Sequence, residues 1–199
     1  MKPMKLLSLS TAAVLFSSIA LASTSFKPGK YEIDTAHSTV GFEVQHLVIS
    51  SVEGKFNTFN GTIDLADKLE KSKVEVTIDT KSIDTGNNKR DDHLRSADFF
   101  DANKIPTMTF KSTSVKGTLD NLEITGNLTM KGVTKKVTLK GKYLGAVKDG
   151  YGNEKVAFVA ETELNRKDFG LNWNSMVEAG PVVGDKVNVR LKIQAAMKK

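Results

Sequence analysis

Three histidines are the first residues to question in a chain that has no cysteine. They are His37, His46 and His93, and His93 closes the run Arg90-Asp91-Asp92-His93, whose composition suits general acid–base work. A zinc site needs convergent ligands in tetrahedral geometry, and no HxH or HxxxH spacing occurs among the three. Structural or hydrogen-bonding roles are therefore expected, with no metal and no cofactor. One enzymatic alternative stays open, in which His93 or His46 works with Asp91 as an acid–base pair. The missing cysteines remove thiol nucleophiles, thiolate metal sites and disulfides. No nucleophile elbow, phosphate-cradling glycine loop or dinucleotide fingerprint is present.

The charged run sits in Arg90–Phe110, the one segment past the leader with a helical pattern. A short helix is expected over 87–97, with Asn87 or Asn88 as N-cap, Asp91 and Asp92 in the positive first turn, and Arg95 near the C-terminal end. Leu94 and Ala97 give it a small apolar face, and Ile105-Pro106 stops its continuation. This makes the charges mainly architectural, leaving Arg90 and His93 as candidates for a hydrogen bond to a polar headgroup. Phe99 and Phe100 are adjacent, and neighbours in extended chain point opposite ways. One is expected to plug the end of a core while the other packs outside or touches a ligand.

Nearly everything else alternates with a period of two. Val40, Phe42, Val44 and His46 share one face; so do Met108 and Phe110, Leu128 and Met130, Val156 and Phe158, and Val189 and Leu191. A dry face and a wet face on each strand is the antiparallel pattern. Tight turns at Asp120-Asn121, Lys131-Gly132 and Asp149–Asn153 join consecutive strands. About eight strands are expected, near 38–47, 54–65, 73–79, 107–119, 122–130, 133–147, 155–165 and 186–196, with a short leading piece at Tyr31–Asp34. One short helix cannot cover so much apolar sheet, so the sheet must cover itself. The fold expected is all-β, an eight-stranded antiparallel up-and-down barrel, which also removes exposed edges. Eight strands enclose a bore that side chains just fill or that holds one small ligand. With only 7% aromatic residues a lengthwise cavity is expected. The expected lining is Phe42, Val44, Met108, Phe110 and Leu128, with Met130, Phe158, Val189 and Leu191. Trp173 and Met176, in the irregular apolar stretch Leu171–Val177, are further candidates at a barrel mouth.

The first 22 residues have the form of an export signal: Lys2 and Lys5, the apolar run Leu6–Leu21, then Ala20-Leu21-Ala22 as a cleavage site. Cleavage near Ala22 would leave residues 23–199 as a single domain in the periplasm or outside the cell. The net charge of +6 is scattered along strands, with no basic stripe interleaved with aromatics, so nucleic acid is not an expected partner. A transient contact with an anionic membrane surface is compatible with it.

Several blocks carry a family resemblance: Asp34-Thr35-Ala36-His37-Ser38, Phe42–Leu47, Val52–Phe56, Arg90–Leu94 with Asp98–Asp101, Ile105–Phe110, Gly126–Thr129, Asn165–Gly170 and Val183-Gly184-Asp185. In this order, over 31–196, the chain resembles the YceI-like family of exported bacterial proteins. The resemblance implies an extended, lipocalin-like eight-stranded barrel enclosing a polyisoprenoid, an isoprenoid quinone or a similar long-chain amphiphile. It also implies a periplasmic or secreted location and a homodimer. Beside this carrier reading stand the enzyme acting on such a lipid and a ligand-free dimeric interaction module.

Overall fold

The computed structural model describes residues 26–178 and 180–198; the leader and its boundary at Ala22 lie outside the described residues. In chain order the elements are β1 (Gly29–Ile33), β2 (Thr39–His46), β3 (Ser50–Phe56), β4 (Phe59–Leu65), β5 (Lys73–Asp79), β6 (Ile83–Asp84), α1 (Asn88–Arg95), β7 (Thr107–Thr118), β8 (Asn121–Met130), β9 (Val133–Lys148), β10 (Glu154–Asn165), β11 (Met176–Val177), β12 (Gly180–Pro181) and β13 (Val183–Met197). Every strand pairing is antiparallel, and β13 closes the sheet by pairing β10 on one edge and both β1 and β2 on the other. The result is an eight-position up-and-down barrel in chain order. Three positions are broken strands: β1 with β2, β3 with β4, and β5 with β6.

The breaks explain where sequence and structure differ. The leading piece near Tyr31 is the first half of a barrel strand, and 54–65 is two strands, because β3 begins at Ser50 and pairs along β2. At the first break, residues 35–37 make a single 3-10 turn capped by the Asp34 carboxylate. Gln194 seals the gap: its carbonyl accepts from the Asp34 N–H and the Ser38 hydroxyl, and its N–H donates to Ser38 Oγ. The Asp34 carboxylate also meets His37, Lys155 and Gln194, at 2.9, 3.3 and 3.1 Å. Burial works to raise the Asp34 carboxyl, but these bonds outweigh it and hold it below its ordinary value. His37 is thus an exposed partner of the carboxylate that caps its own turn. At the third break, buried Thr80 donates its N–H to the Pro106 carbonyl and its hydroxyl to that of Ile105.

The helix forms as its capping residues require. Asn87 is the N-cap, its side chain accepting from the Arg90 N–H, and α1 ends at Arg95, with Ala97 in the turn beyond. Arg95 ties the helix to the barrel through the carbonyls of Lys81 and Ile83.

The two ends of the barrel are filled differently. At the end away from α1, Tyr31, Tyr143, Val156 and Ala195 are buried together, and the Tyr143 ring lies 5.3 Å from Phe158 and 6.1 Å from Phe26. Tyr31 donates its hydroxyl to the Lys27 carbonyl. Burial pushes the Tyr143 phenol up to about 12, and neighbouring Tyr31 adds to the rise. A phenol that ionises later in the folded state than in the unfolded state holds its proton more tightly when folded. Its contribution is complete below the ordinary phenol pKa of about 10 and is lost as pH climbs toward about 12. The loss amounts to at most about 2–3 kcal/mol, and solvent screening reduces it. Urea unfolding followed from pH 9 to 12 should show that loss, and Tyr143→Phe should flatten it; an unchanged alkaline slope in the variant refutes the assignment.

Candidate functional site

The lumen of the barrel is the site. It encloses a cavity of about 250 Å³. On β13 the lining positions Val187, Val189, Leu191 and Ile193 succeed one another at period two, so about 20 Å of one strand faces it. At the α1 end the lining includes Phe99, Phe100, Phe169 and Leu171; at the other it reaches Leu65, Leu69, Val115 and Leu122. The walls are apolar almost throughout. Alternation did this: each strand presents its dry face inward because the ring of hydrogen-bonded neighbours leaves no other place to bury it.

The expected lining set faces the lumen. Phe42 and Val44 come from β2, Met108 and Phe110 from β7, Leu128 and Met130 from β8, Phe158 from β10, and Val189 and Leu191 from β13. At these nine positions the apolar face of the strand and the inward face coincide. Phe99 and Phe100 correct the expectation that they part company: both are buried and both line the cavity. Residues 97–100 form a turn, not extended chain, with the Phe99 N–H bonded to the Ser96 carbonyl and the Phe100 N–H to that of Leu94. The alternation argument does not apply in a turn. Phe100 meets Phe56 edge to face at 5.7 Å, and Phe99 lies against Trp173 at 5.3 Å.

Five other candidates stand outside the lining. His46 is the last residue of β2, one step past Val44, and pairs across the strands with Ser50 and Val183. Arg90 turns away to Thr85, donating to its hydroxyl at 2.7 Å and its carbonyl at 2.8 Å. His93 has Nε2 at 2.9 Å from Asp98 Oδ2 and stands edge to face with Phe99 and Trp173, at 5.1 and 4.7 Å. Trp173 packs behind the end plug, against the same core cluster. Met176, on the β11–β12 ribbon, is 72% exposed. The helical segment caps the barrel from outside and reaches the lumen through Leu94, Phe99 and Phe100.

Asp91, the carboxylate of the enzymatic alternative, is buried and accepts from both the N–H and the hydroxyl of Thr85. Its partners are thus two local groups, while His93 is engaged by Asp98 and His46 sits at a strand tip. The three are not assembled into an acid–base unit, and among the described residues no group of His, Asp and Glu could hold a metal ion.

The residue that sequence reasoning missed is Arg166. It follows β10, is 5% exposed, and its side chain borders the lumen. All five of its N–H groups are used: Nε on the Gly184 carbonyl, Nη1 on those of Leu171 and Trp173, and Nη2 on the Val183 carbonyl and Asp185 Oδ1. Burial lowers the guanidinium below its ordinary value, while Asp185 opposes the drop. A signal was available: Arg166, just past β10, continues the parity of Val156, Phe158, Ala160, Thr162 and Leu164, which places a cation in line with the dry face.

A barrel whose lumen is apolar end to end, plugged by a helix-and-turn segment, matches a known domain. The YceI-like domain matches residues 31–195. The chain belongs to the YceI-like family. It is 40% identical to Protein YceI of Shigella flexneri over 195 residues, covering 98% of each chain. The crystal structure of the YceI protein of Campylobacter jejuni is 35% identical, with a TM-score of 0.67 over 83% of this chain and 96% of that one. A polyisoprenoid binding domain from Saccharophagus degradans, implicated in plant cell wall breakdown, shares the fold at 16% identity, with a TM-score of 0.63 over 86% of this chain and all of that one. The YceI-like blocks map onto the joints of the barrel: Asp34–Ser38 at the first strand break, Arg90–Leu94 in the cap, and Asn165–Gly170 around Arg166.

Proposed function

We propose that the protein is an exported carrier that holds the hydrocarbon chain of a polyisoprenoid, an isoprenoid quinone or a similar long-chain amphiphile inside its barrel, and that it binds this lipid without transforming it. The observation that carries the reading is the apolar wall of the lumen: among the described residues its one lining cation, Arg166, has every donor committed to the protein itself. A polar group drawn inside would lose its water and gain nothing, a cost of about 1–3 kcal/mol or more. A methylene drawn inside gains about 0.8 kcal/mol. Affinity then grows with chain length and is offset by the cost of ordering the chain. The polyisoprenoid binding domain with the same architecture supports this class of ligand.

Native mass spectrometry of the protein isolated from the periplasm of its own host, followed by lipid extraction, tests the proposal. The expected result is a co-purified long-chain lipid, with affinities that rise with chain length and change little when the headgroup is exchanged. Protein that never retains or rebinds such a chain, or that converts it to product, refutes it.

A further inference from the structure

Two phenyl rings in the lumen lie where side chains of the neighbouring strand would otherwise be. Phe42 and Gly54 are partners across the β2–β3 pair, so both positions face inward. A Cβ built on Gly54 would overlap Phe42 Cζ and come within 2.8 Å of Phe42 Cε1 and of Thr85 Cγ2. Three strands further round the ring the arrangement recurs: a Cβ on Gly126 would lie 2.5 Å from Phe110 Cζ, 2.7 Å from Cε2 and 2.6 Å from the Lys111 carbonyl oxygen. Real Cβ atoms do not approach so closely, so each ring is folded flat across its glycine instead of standing up into the bore. Gly54 gives no sign of needing glycine for its backbone angles, since it is absent from the positive-φ positions. The space, not the conformation, is what glycine supplies there.

We infer that Gly54 and Gly126 are the positions that set the bore: each stores a phenyl ring against the wall and so keeps the lumen wide enough to admit a methyl-branched hydrocarbon chain. The inference rests on the proposed lipid-binding function. Phe42 is hemmed in on its other flank by Phe56, with ring centroids 5.8 Å apart. Thr85 is fixed by its bonds to Arg90 and Asp91. A methyl group added at Gly54 therefore drives the Phe42 ring toward the open lumen, where nothing resists it.

Gly54→Ala is the test, because its obstacles are side chains alone, whereas Gly126→Ala also meets backbone. Two measurements are made on protein stripped of lipid: binding of a radiolabelled C40 polyprenol, and xenon occupancy of the lumen in pressurised crystals. The expected result for Gly54→Ala is at least about tenfold weaker polyprenol binding with loss of xenon beside Phe42. Gly54→Ala/Phe42→Leu should restore both, and Gly54→Ala/Thr85→Ser should restore neither. Should Gly54→Ala not fold, Phe42→Leu alone is expected to admit additional xenon next to Gly54. Unchanged xenon occupancy in the folded variant, rescue by Thr85→Ser in place of Phe42→Leu, or no added xenon in Phe42→Leu overturns the inference. If xenon responds as expected while the unmutated protein binds no polyprenol, the bore assignment stands and the lipid reading fails.

Discussion

Arg166→Ala is expected to destabilise the protein by about 3–5 kcal/mol, the usual range for removing one member of a buried, bonded charge arrangement. The guanidinium joins three separate stretches: its own turn after β10, the carbonyls of Leu171 and Trp173, and the start of β13 through Val183, Gly184 and Asp185. Each abandoned carbonyl either stays dry and unpaired, at a cost of about 1–3 kcal/mol, or the segment opens to water. Arg166→Lys should recover little, because an ammonium has three donors on one atom where the site has acceptors spread around a planar fork. Denaturant unfolding at neutral pH measures the loss. Native-state hydrogen exchange should show it concentrated at 171–177 and at the first residues of β13. A variant within about 0.5 kcal/mol of the parent would mean that water or a shifted chain replaces these bonds.

Phe100→Ala is expected to weaken both the fold and the grip on lipid. Truncating a buried phenylalanine costs about 3–5 kcal/mol. The low end applies here, since one side of the ring already faces a cavity and has fewer atoms to lose. The ring's edge-to-face partner Phe56 is the last residue of β3, where that strand pairs with β6 just before the cap helix. Losing Phe100 thus opens the lumen where the cap meets the wall. Phe99→Ala acts differently, unseating Trp173 and His93, with which the Phe99 ring is in contact. Lipid retention after dilution, compared for the two variants at matched folded fraction, is the readout. Retention equal to the parent in both would leave the segment as architecture with no part in holding the ligand.

The histidines and the two phenylalanines differ in how much of their placement is carried by the local sequence. A charged run with a histidine attracts a catalytic reading because its chemistry is local and visible. The capping logic around Asn87 and Arg95 argued for structure instead, and the helix forms with that cap and that end. The phenylalanines were misjudged for a local reason, the assumption of extended chain across a four-residue turn.

The chain's alternation determined a great deal by itself. Period-two apolar patterning on strand after strand, with one helix too short to cover them, compels an antiparallel sheet closed on itself. It also decides which face of each strand is dry, hence the lining by Phe42, Phe110, Leu128 and Val189. Tertiary structure alone decided what depends on distant partners. The joints at Asp34–Ser38 and at Thr80 exist because Gln194 and Pro106 arrive from elsewhere in the chain to satisfy them. Arg166 is neutral to local pattern rules except for its parity, and its role becomes defined only when four carbonyls and a carboxylate from two later segments gather around it. The value of an empty Cβ position at Gly54 depends on which ring lies across it. Sequence spacing records the periodicity of a strand, whereas the partner across the sheet or lumen is set by register and closure.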